Sequence, residues 1–513
     1  MTLPRFAASS YDFTEYVPAR NWIGGAWREA AGTPASQPVP NPRWGRPMST
    51  VQLSGAADVD AAVAAARAAF PAWRDLPIRD RAQVLYRTRE LLMRDLVELS
   101  WLVSHENGKI YSEAEAEVLK AIECLEYGCS LPNLATGSEL EVSRGVTCGL
   151  TYEPLGVVAG VVPFNFPLMV PMWMLPQALV GGNAFLLKPS ERVPLSAMRL
   201  AELFAEAGLP AGIFSLVQGG RETVEALCDH PGIEALGFVG STRVARAVYA
   251  RACAAGKRAL CLGGAKNHLI LVPDADPDVA VENIVASFTG CAGQRCMAAS
   301  VLLAVGEPAE IDPLLGRIAK RAAAIRLGSE MGPVATAAAA ERITKAIANA
   351  AANGARVVVD GRGRLPDGAE GAEGAGRVGP AAGWWVGPTI LDGVDPASEA
   401  GCEEIFGPVL SVVRVATLDE ALRIEGANPY GNAATVYTTS GDVARRVMGS
   451  AEAGMCGVNV GVPVPREPFG FGGWNDSCFG HGNITGWDGY RFWTRQRKIT
   501  TKWALQRDAN WMS

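Results

Sequence analysis

Between residues 156 and 239, short apolar runs alternate with longer amphipathic ones, and no other feature limits this chain so tightly. The runs at 156–162, 183–188, 214–217 and 235–239 read as strands, and those at 167–180, 194–207 and 222–229 as helices. Strands that are apolar on both faces and joined by helices lie parallel in one sheet, with helices covering both sides. The fold class is therefore α/β, doubly wound. A second α/β block follows from 265, with strands at 268–272, 300–305 and 356–359 and helices at 278–290, 308–326 and 337–353. Ahead of the first block, 56–130 reads as helical, with one helix at 57–70 and a longer amphipathic one at 79–107. Residues 1–50 read as an irregular arm with short strands, where Trp22, Ile23 and Trp27 flank a Gly24-Gly25 turn. The segment 138–153 reads as an exposed hairpin and 486–505 as a closing strand near it. Residues 361–383, rich in Gly, Ala and Pro, read as an exposed loop.

A chain of 513 residues exceeds one ordinary domain, so two or three are expected. Residues 154–187 carry no charge, and their length alone would permit a membrane span. Pro163, Pro167, Pro171 and Pro176 interrupt them, together with Asn165, Gln177 and Asn183, so the stretch reads as buried strand, loop, helix and strand. A net charge of −6 offers no basic face to a nucleic acid or an anionic membrane. Eleven cysteines without a CxxC pair give no zinc framework. Four histidines, His105, His230, His268 and His481, make a His-rich metal site or a Ser-His-Asp hydrolase a poor fit, and no metal is expected. No basic segment followed by an apolar one opens the sequence, so reduced thiols and a cytoplasmic location are expected.

Four segments carry candidate chemistry. In FTGCAGQRCMAAS, Cys296 lies between a helix and a strand in a Gly-rich turn that can expose its sulfur; a free Cys can equally be a small buried hydrophobe. In VVPFNFPLMVPMWML, Asn165 follows a strand and sits between aromatics. Such an amide either bonds the loop backbone or donates to an oxyanion beside a nucleophile. The segments FLLKPS, with Glu191 next, and GFVGST put polar groups at the carboxyl ends of parallel strands, where α/β folds bind nucleotides. Gly240, Ser241 and Thr242 would present N–H and hydroxyl groups to a pyrophosphate at a helix N-terminus, although a plain helix cap explains Ser241 or Thr242 as well.

Taken together and in this order, the four segments resemble the aldehyde dehydrogenase superfamily from about Trp22 to Trp503. Leu262-Gly263-Gly264, Glu404-Ile405-Phe406-Gly407-Pro408 and Phe471-Gly472-Gly473 extend the likeness. The resemblance implies that Cys296 attacks the aldehyde carbonyl while the Asn165 amide and the Cys296 N–H hold the oxyanion. It implies NAD as cofactor, with Lys188 and Glu191 at the adenosine ribose and Gly240 and Ser241 at the pyrophosphate. Glu404 falls at the nicotinamide ribose, with Phe406 and Phe164 near the ring. Glu191 would bind a 2′-hydroxyl and repel a 2′-phosphate, which favours NAD over NADP. The implied domains are an NAD-binding unit at 1–137 and 154–264, a catalytic unit at 265–465, and a small β oligomerisation arm at 138–153 and 486–505. The arm pieces are expected to pair across subunits of a homodimer or homotetramer.

Hydrolytic members of the superfamily carry a general-base Glu just before Leu-Gly-Gly, where this chain has Cys261. A thiol does not replace a carboxylate as a base for water near neutral pH, so the resemblance implies that coenzyme A takes the acyl group. PFNFPLMVPMWMLPQAL, LGGAKNH, AGQRCMA, EIFGPVLSVVRV and FGGWNDS resemble the CoA-acylating methylmalonate-semialdehyde dehydrogenase branch. There two arginines hold a substrate carboxylate. Arg295 matches one; at the other stands Lys120, a cation without the two-pronged fork of Arg. With Cys261 in place of the branch's Ala and the charged pair Arg466-Glu467 near the expected substrate entrance, the departures point to a sibling subfamily with its own small aldehyde.

Overall fold

The computed structural model describes residues 9–367 and 382–503. The apolar run that opens the first block becomes the strand Val157–Val161, buried at every position, and its neighbours Ala184–Lys188, Phe214–Leu216, Ala235–Val239 and Arg258–Leu262 join it in parallel. Across the sheet these five stand in the order third, second, first, fourth, fifth, so the chain reverses direction between Val157–Val161 and Ala235–Val239. That reversal opens a crevice at the strands' carboxyl ends. The helices Met169–Val180, Leu195–Glu206, Arg221–Asp229 and Thr242–Ala254 make the crossovers.

The short strands expected about the Gly24-Gly25 turn are present: Asn21–Ile23 and Ala26–Arg28 form a hairpin over Gly24 and Gly25 (φ 65° and 79°), and Trp22 pairs antiparallel with Leu216 to extend the sheet. The helix expected over 79–107 is two, Ile78–Arg94 and Leu96–Asn107, broken at Asp95. The Asp95 carboxylate is drawn to Arg94 and to Arg199 of a neighbouring helix, at 2.7 and 2.5 Å. The helix Tyr111–Leu134 follows.

A second sheet has the order Arg356–Val359, Thr389–Asp392, Val409–Val415, Ala299–Val305, Asn267–Leu271, Ala433–Tyr437, Met455–Val458, parallel except at its first pair. Most of the loop expected at 361–383 lies outside the described residues. The strand Arg258–Leu262 leaves the first sheet by its carboxyl end and, four residues on, Asn267–Leu271 enters the second by its amino end. The carboxyl edge of one sheet thereby meets the amino edge of the other.

A three-stranded antiparallel arm stands apart, with Val146–Pro154 between Ser138–Ser143 and Thr494–Lys502. Its pieces pair with one another within the chain. The segment expected as one strand over 486–505 begins with the helix Gly486–Phe492. No helix among the described residues is long and apolar enough to cross a membrane, and no group of three or more His, Cys, Asp or Glu among them could hold a metal ion.

Candidate active site

The first sheet's carboxyl edge forms one bank of the crevice. Lys188 ends its strand buried, and its ammonium donates to Glu191 Oε2 at 3.0 Å. Burial holds the Lys188 pKa down against the pull of Glu191. For Glu191 burial acts upward, but Lys188 and local hydrogen bonds outweigh it and keep the carboxyl below its usual range. At the next strand end Gly240 approaches the Phe238 ring so closely that a Cβ would fall 2.6 Å from it. Ser241 occupies the cap position of the helix Thr242–Ala254 in extended conformation, yet its hydroxyl bonds none of the first-turn N–H groups. Those donors remain available to an anion. The Thr242 hydroxyl is engaged, accepting the Gly264 N–H at 2.8 Å.

The other bank belongs to the second sheet. After the helix Pro277–Thr289 the chain turns through Cys291 and Ala292, both at φ 52°, and Gly293 at φ 67°. A left-handed pair of non-glycine residues is strained and persists only where the surroundings fix it. Here Glu113 Oε1 accepts the Cys291 N–H at 2.6 Å, and Gly293 packs so tightly on the Gly407 carbonyl that a Cβ would lie 2.1 Å from it. Cys296 follows in the turn before Ala299–Val305. Its carbonyl accepts from Asn267 Nδ2 at 2.7 Å and Asn432 Nδ2 at 3.0 Å. Cys296 lines a small cavity together with Arg295, Lys266, Glu404 and Phe406. Burial pushes the thiol pKa up to about 12 and the Glu404 carboxylate adds to this, while the N–H groups of Cys296 and Met297 and the Arg295 guanidinium work against it. Cys296 is a protonated thiol at neutral pH in this state.

Glu404 spans the banks. Its Oε1 accepts the Ala265 N–H at 3.2 Å, and Oε2 would lie 2.5 Å from a Cβ on Gly264. Burial raises its pKa to about 7, against Ala265, Lys266 and Arg342. Lys266, also buried and lowered to about 8, donates to the carbonyls of Ala400 and Glu403. Phe406, at φ 51°, meets Phe164 edge to face with 5.9 Å between ring centres. The next residue, Asn165, is buried. Its carbonyl accepts Lys109 Nζ at 2.6 Å, Lys109 pairs with Glu117, and Glu117 Oε1 accepts the N–H groups of Leu168 and Met169. The Asn165 side-chain amide has no partner among the described residues.

The structure thus gathers Cys296, Arg295, Glu404 and Phe406 around one cavity, with Phe164 and Asn165 on the adjoining loop. Lys188, Glu191, Gly240 and Ser241 line the strand ends of the opposite bank. Lys120 does not line that cavity; it pairs with Glu123 Oε2 at 3.0 Å and Glu467 Oε2 at 3.1 Å. Cys261 is fully buried in the first sheet between Phe238 and Phe479; the sulfurs that act on it are those of Cys228, Cys253 and Cys478. Burial raises its thiol pKa far above the ordinary value. Sequence reasoning passed over Asn267, Asn432, Lys266, Glu113 and the Lys109–Glu117 pair. The first and third stood in the quoted LGGAKNH, where a polar residue opening an apolar strand was the available signal.

The aldehyde dehydrogenase family model matches residues 27–499. Malonate-semialdehyde dehydrogenase 2 of Geobacillus thermodenitrificans is 45% identical over 496 residues, covering 95% of this chain and 100% of its own. Malonate-semialdehyde dehydrogenase of Pseudomonas aeruginosa is 43% identical, covering 91% of this chain and 93% of its own. The crystal structure of methylmalonate-semialdehyde dehydrogenase from Oceanimonas doudoroffii superposes with a TM-score of 0.91 at 40% identity, covering 96% of this chain and 99% of that one. A provisionally assigned methylmalonate-semialdehyde dehydrogenase from Sinorhizobium meliloti, complexed with NAD, gives 0.92 at 39%, covering 97% and 100%. A Cys thiol, a strand-end nucleotide crevice and likeness along nearly the whole chain converge, and the chain belongs to the aldehyde dehydrogenase family, near its methylmalonate-semialdehyde dehydrogenase branch, as an NAD-dependent aldehyde dehydrogenase.

Proposed function

We propose that this enzyme oxidises a short, carboxylated aldehyde through a thioester on Cys296 and passes the acyl group to coenzyme A. The names of its relatives, malonate- and methylmalonate-semialdehyde dehydrogenases, support the substrate class. The Cys296 thiolate adds to the carbonyl carbon, and the unpartnered Asn165 amide and the Cys296 N–H receive the oxyanion. NAD supplies the acceptor for the hydride that leaves that carbon. The coenzyme A thiol then adds to the thioester, and Cys296 departs as thiolate. Aldehyde, NAD⁺ and CoA thiol become acyl-CoA, NADH and a proton. Lys188 and Glu191 would hold the adenosine ribose, Gly240 and Ser241 the pyrophosphate, and Glu404 the nicotinamide ribose, with Phe164 and Phe406 near the ring. The open Ser241 hydroxyl and the close approach at Gly240 fit that cofactor.

The observation that carries the choice of coenzyme A is Cys261. A buried thiol with a strongly raised pKa, turned toward other sulfurs, cannot activate water. A second reading, release of the free acid, draws on Glu404, a carboxyl near neutrality that acts on Cys296. Malonate semialdehyde, methylmalonate semialdehyde and propanal, incubated with NAD with and without coenzyme A, decide between them. Acyl-CoA seen by mass spectrometry and abolished in Cys296→Ala is the expected result; free acid at full rate without coenzyme A supports the second reading instead.

The sheets also favour an NAD-binding unit at 1–137 and 154–264 and a catalytic unit at 265–465. The arm exposes Leu140 (67%), Val142 (51%) and Trp503 (77%), which supports assembly into a homodimer or homotetramer. Light scattering on the purified protein distinguishes these from a monomer.

A further inference from the structure

Glu113, Glu117 and Lys120 follow one another at intervals of four and three residues along one face of the helix Tyr111–Leu134, a span of about 10 Å. Each meets a different wall of the aldehyde side. Glu113 holds the Cys291 N–H at the nucleophile turn, and Glu117 holds the N–H groups of the loop that carries Asn165. Lys120 reaches Glu467. The segment bearing Glu467 is tied back toward the nucleophile, because the Gly461 carbonyl accepts Ser287 Oγ at 2.6 Å and the Ser287 carbonyl accepts the Arg295 guanidinium at 3.0 Å. Lys120 and Glu467 therefore lie on the helix face and the tethered segment that border the nucleophile turn.

The two cations beside this turn are in different states. The Lys120 ammonium faces two carboxylates, Glu467 and Glu123, and both ion-pair side chains at its inner contact are mostly buried, 19% and 10% exposed. The second Glu467 oxygen accepts from the Cys124 thiol at 3.6 Å, which fixes the carboxylate in place. A substrate carboxylate arriving at Lys120 would find its charge already answered and a like charge beside it. Arg295 forms no such ion pair among the described residues, although the buried Glu113 carboxyl acts on it from beyond contact distance. Its one bonded nitrogen caps two carbonyls, at 2.6 and 3.0 Å, and its Nε is buried without a partner among the described residues.

We infer that Glu467 is a specificity-determining residue: by holding the Lys120 ammonium it weakens binding of carboxylated aldehydes relative to uncharged ones, leaving Arg295 as the cation a substrate carboxylate meets. This rests on the reading of Cys296 as the nucleophile of an aldehyde cleft. Glu467 touches no reacting atom and acts through Lys120.

The test compares malonate semialdehyde with propanal, at saturating NAD and coenzyme A, in the full-length enzyme, Glu467→Gln, Lys120→Gln and the double variant. The ratio of kcat/KM for malonate semialdehyde to that for propanal is expected to rise about tenfold in Glu467→Gln, through KM, the scale of one partly buried charge contact. In the double variant the gain is expected to vanish, because it requires the freed ammonium. A ratio that stays put in Glu467→Gln, or rises equally in the double variant, overturns the inference. Protection of Cys296 from iodoacetamide by malonate reads carboxylate binding without turnover. It is expected to tighten about tenfold in Glu467→Gln by the same charge argument. Unaltered protection overturns the inference even if the enzyme oxidises neither aldehyde, whereas tightened protection without turnover counts against the oxidation reading alone.

Discussion

The two banks of the crevice are built by different means. On the first sheet each group is set by a short stretch of chain: Lys188 pairs with Glu191 three residues on, and Gly240 and Ser241 adjoin the helix they open. On the second, several of the bonds that fix the site residues come from distant parts of the chain. The Cys296 carbonyl is bonded from 29 and 136 residues away, the Cys291 N–H from 178, the Asn165 carbonyl from 56, and Lys120 meets Glu467 across 347. A bank assembled from one strand and one helix can be altered piecemeal. A bank pinned by distant partners keeps its geometry only as a whole, and reactive geometry is the more demanding of the two. Changes on the second bank should therefore appear in kcat and those on the first in KM for NAD.

The widest separation is expected from Cys296→Ala, which should lower kcat/KM by at least about 10⁴-fold, about 5 kcal/mol of transition-state stabilisation. Titration of NAD by quenching of tryptophan fluorescence should still show binding. If NAD binding is lost as well, the banks are not separable. Next in size is Asn165→Ala, expected to reduce kcat by about 10²–10³-fold, the range seen when one oxyanion donor is removed. An effect confined to KM for the aldehyde would make Asn165 a substrate contact and leave the oxyanion without a side-chain donor.

The same contrast decides what could be read from the sequence. The four apolar runs of the first block became strands within a residue or two of their expected ends, because burial on both faces leaves an unbroken apolar signature. The strand-end positions of Lys188, Glu191, Gly240 and Ser241 were legible for the same reason: each sits at or just past the end of such a run. Asn267, Asn432 and Glu113 were not, since a polar residue whose partner lies a hundred positions away leaves no local pattern. The break at Asp95 was hidden in an otherwise regular helical period, and one of the residues that bonds its carboxylate, Arg199, sits on another helix. The helix Gly486–Phe492 was masked by two glycines and by the strand that follows it.

Proton chemistry sharpens the contrast further. With the Cys296 thiol near 12 and Glu404 near 7, alkylation of the cofactor-free enzyme by iodoacetamide should accelerate as pH rises, because only the thiolate reacts. Above pH 8 the expected slope is about tenfold per unit, with no plateau below pH 10. Between pH 6 and 8 the slope should be shallower, because Glu404 gains a negative charge there and opposes thiolate formation. Glu404→Gln should remove that shoulder and raise the rate at pH 8 by about threefold, the scale of one nearby partly screened charge. Mass mapping of the Cys296 peptide measures both. A plateau near pH 8 in the parent enzyme would mean that an unrecognised cation activates the thiol.

The smallest effect is expected on the first bank, at Glu191. Its carboxyl is held below the usual range, so it is ionised at neutral pH and, at the adenosine ribose as proposed, would repel a 2′-phosphate. Glu191→Gln keeps a ribose acceptor and removes the charge. KM for NAD should rise about threefold and the NADP-to-NAD ratio of kcat/KM about tenfold, since one partly screened charge contact is worth about 1 kcal/mol. The Lys188 ammonium, deprived of its carboxylate but still bonded to an amide oxygen, should remain buried, so the change stays within one strand end. If Glu191→Gln instead lowers kcat with KM for NAD unmoved, the strand end reaches the reacting atoms, and the division of the crevice into a locally built cofactor bank and a globally built reactive bank fails at its nearer edge.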